Sequence, residues 1–185
     1  MPLARALIGK ILVRELPTGE LLTGRIVETE AYTLGDPSSH AFRGPTQRNA
    51  SMFKRHLHAY VYFIYGSAFC LNISSEAEGT GAAVLIRAVE PLTGIETMRT
   101  LRGPTIKDRD LARGPGRLCA AFAITKSQDT LDLETDQTLW LATETTKKFA
   151  IGTSPRIGLS QEQSRPHRFY LKSSPHLSGP RTLSP

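Results

Sequence analysis

Short apolar runs rich in β-branched and aromatic side chains recur along the chain and are separated by Gly, Pro, Ser and Thr. Runs of this length and composition predict β-strands. Turn residues at 17–19 and at Gly66-Ser67 indicate two hairpins, because each turn lies between two such runs. The predicted strands are residues 11–16, 21–27 with a continuation to Tyr32, 60–65, 69–73, 82–89, 138–142, 156–159 and 168–172.

Helices are predicted at residues 3–9, 95–101 and 115–123, so that helices and mostly antiparallel strands are mixed in one chain. The chain has 185 residues, of which 39% are hydrophobic and 22% charged. This composition is ordinary for a globular domain, and a chain of this length buries roughly 70% of its surface in one core. No repeat or linker divides the chain. We therefore expect an α+β fold in one domain, followed by a frayed tail rich in Ser and Pro at residues 173–185.

The strand that continues to Tyr32 places an unusual set of polar side chains on one face. Residues two apart on a strand lie about 6.6 Å apart on the same face, so Glu28, Glu30 and Tyr32 point the same way. This spacing is close to the one at which a carboxylate activates a water against a glycosidic carbon. Alternatively, the two glutamates form the solvated face of an edge strand and pair with Arg25 or Arg14. Spacing alone favours this second interpretation.

The second hairpin carries a concentration of aromatic side chains. Alternation places Tyr60, Tyr62 and Ile64 on one face of its first strand, and Tyr65 lies next to the turn. Tyrosines are common on half-buried strands, where the hydroxyl keeps its contact with water. The same rings, facing Tyr32, would also sandwich a planar ligand, and an aromatic tip resembles the wedges that open base steps. The pattern leaves both interpretations open.

The chain is basic, with a net charge of +6. Residues 141–185 carry seven Lys and Arg against two Glu, which accounts for +5 of that total. Between Asp36 and Glu76 there is no carboxylate, while four basic residues lie among seven aromatic ones. Basic residues interleaved with aromatics indicate a nucleic-acid surface. A solvated basic surface around an aromatic core explains the composition equally well.

Nothing in the sequence indicates a metal, a cofactor or a membrane segment. Cys70 and Cys119 are far apart and have apolar neighbours, which predicts reduced core thiols in a cytosolic protein and excludes a zinc site built from cysteines. His56 and His58 lack a third ligand at a suitable spacing, and we interpret them as surface or loop residues. The longest apolar stretch, residues 60–73, is too short to cross a bilayer.

Several uncommon sequence motifs occur in one order along nearly the whole chain. The most specific are Ile-Val-Glu-Thr-Glu-Ala-Tyr at residues 26–32 and Tyr-Val-Tyr at residues 60–62. Others lie at residues 3–10, 46–49, 72–74, 84–91, 114–119, 124–127 and 168–170. With these motifs the chain resembles the monofunctional 3-methyladenine (alkyladenine) DNA glycosylases of bacteria and mammals. The resemblance implies a single compact α+β domain, here residues 1–172, around a curved, mostly antiparallel sheet with a protruding β-hairpin.

The resemblance implies catalytic roles for two residues. Glu30 resembles the general base that activates a water for attack on the anomeric carbon, and Arg87 resembles the residue that helps to hold that water. A carboxylate suits this step because the transition state is oxocarbenium-like, so that the same group removes a proton and stabilises positive charge. No lysine lies in the pocket motifs, so strand cleavage through a Schiff base is not expected.

The resemblance also implies a pocket for a base that has been flipped out of the duplex. An alkylated purine is cationic and would gain cation–π attraction from tyrosines, whereas a neutral lesion would need protonation, for which His40 is a candidate acid. Tyr65 would intercalate where the base has left, and Asn72 matches the position that disfavours the amino group of guanine. The residues of the base-binding pocket would be Tyr32, His40, Tyr62 and Asn72.

The function implied by the resemblance is hydrolysis of the N-glycosidic bond of alkylated or deaminated purines in base-excision repair. The lesion class comprises 3-methyladenine, 7-methylguanine, hypoxanthine and ethenoadenine. The partner would be double-stranded DNA with a damaged purine, and the basic carboxy-terminal third would contact its phosphates. We expect a monomer without metal, cofactor or membrane association, located in the cytoplasm with the nucleoid or in a nucleus.

Two other functions are compatible with parts of the sequence. A non-catalytic module for lesions or structured RNA would use the aromatic pocket only for recognition and would not need Glu30. A hydrolase of free nucleosides is a third interpretation, and it predicts a neutral surface, whereas this chain is basic.

Overall fold

Eight strands form one antiparallel sheet within residues 1–143, 148–159, 164–180 and 182, the part of the chain that the computed structural model describes. The strands are β1 (Ile11–Glu15), β2 (Leu21–Tyr32), β3 (Ala59–Ile64), β4 (Ala68–Ser74), β5 (Ala83–Thr93), β6 (Leu139–Ala142), β7 (Ile151–Ser154) and β8 (Arg168–Leu171). The α-helices of the same residues are α1 (Pro2–Ala6), α2 (Ile95–Arg102) and α3 (Pro115–Ala121). This mixture confirms the α+β prediction for a single compact domain.

The sheet is organised around its longest strand, β2. β5 lies along one edge of β2, whereas β1 and β8 share the other edge, beside residues 21–25 and 28–30 respectively. β3 and β4 extend the sheet beyond β5, β6 extends it beyond β1, and β7 pairs with β8. Glu28 and Glu30 therefore lie in the middle of the sheet and are buried. Their interpretation as the solvated face of an edge strand is wrong, and Arg25 pairs instead with Glu90.

The core lies between the sheet and the helices. α3 packs on β4 and β5, and α2 packs on α3. Gly116 allows α3 to approach β4 closely, since a Cβ atom there would lie 2.9 Å from the Cβ of Ala68. Cys70 and Cys119 are buried free thiols, as predicted. Among the apolar side chains of this core are Leu12, Ile26, Leu71, Ile86, Leu118 and Phe122.

Two predicted elements differ most from the structure. β5 does not end at Val89, before Pro91, but continues to Thr93. Pro91 has no backbone N–H to donate, which is tolerated because it lies opposite Gly24 at an irregularity of the strand pairing. The strand predicted at residues 156–159 is wrong. β7 comprises Ile151–Ser154, and the residues after it form a loop whose donors bond to side chains of the candidate site.

The tail that was predicted to fray is partly packed against the sheet. Leu177 and Ser178 are buried, and Leu177 packs in a small cluster with Val27, Ala88 and Tyr170. The Leu177 carbonyl accepts a hydrogen bond from the Arg113 side chain. The prediction is therefore wrong for residues 177–178, whereas residues 181 and 183–185 lie outside the described part of the chain.

Candidate active site

A cavity of about 670 Å³ opens where β2 and β5 meet the β3–β4 hairpin and the start of α3. One predicted site residue, Glu30, does not line this cavity but is fully buried directly behind its wall, where it contacts Arg87 and Tyr32. The fold therefore brings all seven predicted residues to one place. Six of them line the cavity: Tyr32, His40, Tyr62, Tyr65, Asn72 and Arg87.

The Glu30 carboxylate has three hydrogen-bond donors around it. Its Oε1 accepts from the backbone N–H of Ile157 at 2.7 Å, and its Oε2 accepts from the Tyr32 hydroxyl at 3.1 Å and from Arg87 Nη1 at 3.2 Å. Burial raises the pKa of the Glu30 carboxyl, although these three partners act in the opposite direction, and nearby Glu28 raises it further. A carboxylate with a raised pKa is a stronger base than an exposed one, so the arrangement suits proton abstraction.

Arg87 lies between two buried carboxylates. Its Nη1 is 3.2 Å from Oε2 of Glu30, and its Nε is 3.3 Å from Oε1 of Glu28. Burial alone would lower the pKa of Arg87, but the two carboxylates raise it, so the guanidinium stays charged. A buried charge is costly without partners. The two glutamates therefore explain how a strand of the core can hold an arginine at the cavity wall.

The sequence did not reveal the loop that closes the site after β7. Arg156 in this loop is buried, forms a two-point ion pair with Asp36, and lies with its guanidinium 4.6 Å from the centre of the Tyr32 ring. This pair fixes the loop beside β2, so that the next residue, Ile157, donates to Glu30. Asp36 and Arg156 are 120 residues apart, and no local pattern relates residues at such a separation.

β3 presents aromatic rings to the cavity. Tyr60, Tyr62 and Ile64 all line it, which confirms the face predicted for this strand. The centroids of the Tyr60 and Tyr62 rings are 5.4 Å apart, and the His40 ring stands edge-on to Tyr62 at 4.5 Å. Burial raises the pKa of both tyrosines, so their hydroxyls stay protonated. The cavity is thus walled by neutral rings with electron-rich faces.

His40 is held in place by two neighbouring side chains. Its Nδ1 lies 2.9 Å from the Tyr60 hydroxyl, and its carbonyl accepts a hydrogen bond of 2.8 Å from Asn49. Burial and the nearby charge of Arg48 lower the pKa of the imidazole. A lowered pKa leaves little imidazolium at neutral pH, which argues against His40 as the acid for neutral lesions.

Asn72 lies on β4, opposite Tyr60 in the antiparallel ladder. Its Nδ2 donates to the Tyr60 carbonyl at 3.3 Å, and the side chain lines the cavity beside Leu85. A buried amide that faces a ligand cavity selects between ligands by their hydrogen-bonding groups, because an unmatched polar group is costly there. This is the position at which the resemblance implies discrimination against guanine.

Tyr65 is the tip of the β3–β4 hairpin and is 88% exposed. Tyr65 and Gly66 both have positive φ angles, 54° and 66°, and the N–H of Ser67 donates to the Ile64 carbonyl at 3.2 Å. Left-handed conformations at both central positions are typical of a type I′ turn, which joins antiparallel strands well. The turn therefore projects an aromatic side chain out of the domain at the rim of the cavity.

Two of the seven basic residues of the carboxy-terminal third do not contribute to the phosphate-binding surface that we predicted, whereas Lys148 and Lys172 are exposed. Arg156 and Arg168 are buried, and each is ion-paired with a buried carboxylate. Exposed cations near the cavity come from other segments: Arg117 lines it, and Arg48 lies 6.0 Å from the centre of the Tyr62 ring. Outside the described residues lie Lys147 and Arg181.

Neither a metal site nor a membrane span is found in the part of the chain that the structure describes. No group of three or more His, Cys, Asp or Glu side chains in these residues could hold a metal ion. None of the described helices is long and apolar enough to cross a membrane.

The chain is similar along nearly its whole length to a group of known proteins. The sequence model for methylpurine-DNA glycosylase (MPG) matches residues 1–175. A protein of Mesorhizobium japonicum, provisionally named 3-methyladenine DNA glycosylase, is 55% identical over 98% of this chain and 86% of its own. The DNA-3-methyladenine glycosylase of Homo sapiens is 46% identical over 96% of this chain and 64% of its own length. The DNA-3-methyladenine glycosylase of Mus musculus is 47% identical over 95% of this chain and 57% of its own length. The chain therefore belongs to the methylpurine-DNA glycosylase family.

Proposed function

We propose that this DNA glycosylase of base-excision repair hydrolyses the N-glycosidic bond of a damaged purine with a water that Glu30 activates. The observation that carries the proposal is the buried Glu30 carboxylate, hydrogen-bonded to Arg87 behind a cavity walled by tyrosines. The proposed substrates are alkylated or deaminated purines of the class that includes 3-methyladenine, 7-methylguanine, hypoxanthine and ethenoadenine.

The chemistry depends on an acceptor position of Glu30 that no donor among the described residues occupies. An ionised carboxylate accepts about four hydrogen bonds, and Tyr32, Arg87 and Ile157 supply three. In the proposed reaction the attacking water takes the remaining position and gives its proton to Glu30 as its oxygen bonds to the anomeric carbon. The bond to the purine nitrogen breaks, and its electron pair leaves with the base. The carboxylate also stabilises the positive charge that develops on the sugar.

The aromatic cavity would hold the purine while this bond breaks. Tyr32 and Tyr62 both line the cavity, and the His40 ring stands beside Tyr62. Stacking on aromatic rings binds any base, and a cationic alkylated purine gains additional attraction from their electron-rich faces. Because the pKa of His40 is lowered, we assign His40 to the wall of this pocket and not to proton donation.

The partner of the site would be double-stranded DNA that contains a damaged purine, bound by one copy of the chain. The target nucleotide must leave the base stack to reach a carboxylate buried inside the sheet, which costs a few kcal/mol and least for damaged pairs. Tyr65 at the exposed hairpin tip would fill the space left in the duplex. The reaction as written consumes only water, so it requires no cofactor.

Single-turnover excision tests this function. Wild-type protein in excess is mixed with duplexes that carry hypoxanthine or ethenoadenine, or with methylated DNA, and abasic sites are then revealed by alkali. We expect release of the damaged base from at least one of these substrates and none from the undamaged duplex. We also expect no strand cleavage before alkali, since the proposed nucleophile is a water and not an amine. Binding of all three substrates without release would overturn the proposal and indicate a module that only recognises lesions.

Tyr65→Ala is expected to weaken the flipped state of the target base. Base–aromatic stacking contributes about 1–3 kcal/mol, so the flipping equilibrium should fall by roughly 5- to 150-fold. The fluorescence of ethenoadenine, which stacking quenches, measures this equilibrium. Phe63→Ala is the matched control, because Phe63 is an exposed aromatic of the same hairpin but does not line the cavity. Equal effects of the two variants would contradict the role of Tyr65.

A further inference from the structure

A second buried carboxylate lies behind Arg87 and takes no part in the reaction proposed above. The Oε1 of Glu28 accepts a hydrogen bond of 2.6 Å from Arg168 Nε and lies 3.3 Å from Arg87 Nε. Both partners are buried, as are Glu28 and Glu30 themselves. Two carboxylates and two guanidiniums therefore balance one another inside the sheet. Buried charges persist only when they are paired and hydrogen-bonded, so the geometry of each depends on the others.

Ser178 in the carboxy-terminal segment connects these charges. Its backbone N–H donates to Oε2 of Glu28 at 2.6 Å, and its hydroxyl donates to Oε1 at 3.0 Å. The same hydroxyl accepts a hydrogen bond of 3.1 Å from Arg87 Nε. Ser178 thus contacts both a buried carboxylate and the arginine of the cavity wall. It lies beyond residues 1–175, which the sequence model of the family matches.

We infer that Ser178 is a positioning residue, which together with Glu28 fixes the Nε end of Arg87 so that its Nη1 end points at Glu30. The inference rests on the proposed function, in which Glu30 activates the attacking water. A guanidinium is planar and rigid, so fixing Nε also sets the direction of Nη1. A displacement of about 1 Å can cost about a hundredfold in rate. The carboxy-terminal segment therefore completes the active site from behind.

Two alanine variants separate this role from general stabilisation. Ser178→Ala removes the hydroxyl but keeps the backbone N–H that Glu28 accepts, so the buried ion pairs remain. Ser154→Ala is the matched control, because Ser154 is also buried and its hydroxyl bonds to Arg168 Nη1 at 2.8 Å and to the Pro155 carbonyl instead of Arg87. We expect single-turnover excision to slow about tenfold in Ser178→Ala and clearly less in Ser154→Ala, because the Ser154 hydroxyl does not contact Arg87.

The pH profile of excision is a readout that a loss of stability would not move. The charge of Arg87 lowers the pKa of Glu30, so an Arg87 that is less well directed leaves this pKa higher. The rising limb of the rate should therefore move to higher pH in Ser178→Ala and stay in place in Ser154→Ala. The groups that face Glu30 are Arg87 from β5, Tyr32 and Glu28 from β2, and the Ile157 N–H from the loop after β7; Arg168 from β8 contacts Glu28.

A measurement without DNA distinguishes failure of this inference from failure of the proposed function. The Nε–H signal of Arg87, assigned in nitrogen-edited NMR spectra with Arg87→Lys, reports the contact with Ser178 directly. We expect its exchange with water to be at least about tenfold faster in Ser178→Ala than in wild type or Ser154→Ala. If wild-type protein excises no base, the proposed function is wrong, and the exchange rates still test the contact. Unchanged exchange in Ser178→Ala, or equal effects in both alanine variants, would overturn the inference.

Discussion

Glu30→Gln is expected to slow base excision by about 10²- to 10⁴-fold, which is the usual contribution of a general base. Glutamine keeps the size of the side chain but cannot take the proton of the attacking water. It also lacks the negative charge that stabilises an oxocarbenium-like transition state. The rings of the cavity are unchanged, so damaged DNA should bind as before. Single-turnover rates and dissociation constants for the same duplex measure both effects.

Glu90→Gln is the matched control for this substitution. Glu90 lies on β5 like Arg87, but its carboxylate pairs with Arg25 on β2 and does not line the cavity. We expect its excision rate to stay within about twofold of wild type, as is usual for surface substitutions. A Glu30→Gln enzyme within tenfold of wild type, or an equal loss in Glu90→Gln, would contradict the assignment of Glu30 as the base.

The pH dependence of the wild-type rate reports the same carboxyl group. Burial raises the pKa of Glu30, and only the ionised form can accept a proton. The rate should therefore be low at acidic pH and rise with pH through a value above the ordinary pKa of glutamate, about 4.3. Glu30→Gln should lack this limb, because it removes the titrating group.

Asp36→Ala is expected to destabilise the fold by about 3–5 kcal/mol, the usual cost of leaving one partner of a buried ion pair uncompensated. Asp36 and Arg156 are both fully buried at the side chain, so water cannot replace the lost carboxylate. Excision should fall as well, because Arg156 lies over the Tyr32 ring and precedes Ile157, which donates to Glu30. Urea denaturation gives the free energy of unfolding of wild type and variant.

Glu134→Ala is the control for this prediction, since Glu134 pairs with Arg55 at 2.9 Å on the surface, where water screens the charges. Its effect on stability should be far smaller.

The ion pair of Asp36 with Arg156 also predicts a pH dependence of the stability. Burial alone would raise the pKa of Asp36, but hydrogen bonds from Arg156 and Ser38 lower it overall. The stabilisation is therefore present above about pH 4 and is lost as pH falls through the lowered pKa. Equal stability losses in Asp36→Ala and Glu134→Ala would contradict a buried pair.

Alternation and turn residues were sufficient to predict most of the sheet. The cavity face of Tyr60, Tyr62 and Ile64 follows from the period of two within a strand. The strand predicted at residues 156–159 was wrong because the backbone N–H of Ile157 donates to the side chain of Glu30 and not to a backbone carbonyl of a neighbouring strand. The Arg156 side chain bonds to Asp36 and to the Ala31 carbonyl. The sequence shows apolar side chains in this segment, but it does not show which acceptors lie within reach.

The candidate site was predicted less completely than the sheet. Alternation placed Glu28 and Glu30 on one face, and their spacing favoured an exposed edge. Both are buried because β5 covers one edge of β2 and β8 covers the other at residues 28–30. The family motifs supplied the seven candidate residues, but neither the motifs nor the spacing indicated the loop after β7.

From the sequence alone, one can derive the local elements, the aromatic face of β3 and the residue types available for chemistry, because these depend on neighbours within a few positions. Folding sets the electrostatics of the site. Ser178 bonds to Glu28, which is 150 residues away along the chain, and Arg156 bonds to Asp36, which is 120 residues away. Burial and the distances between charges govern the pKa of Glu30, and both arise only when these distant segments pack together.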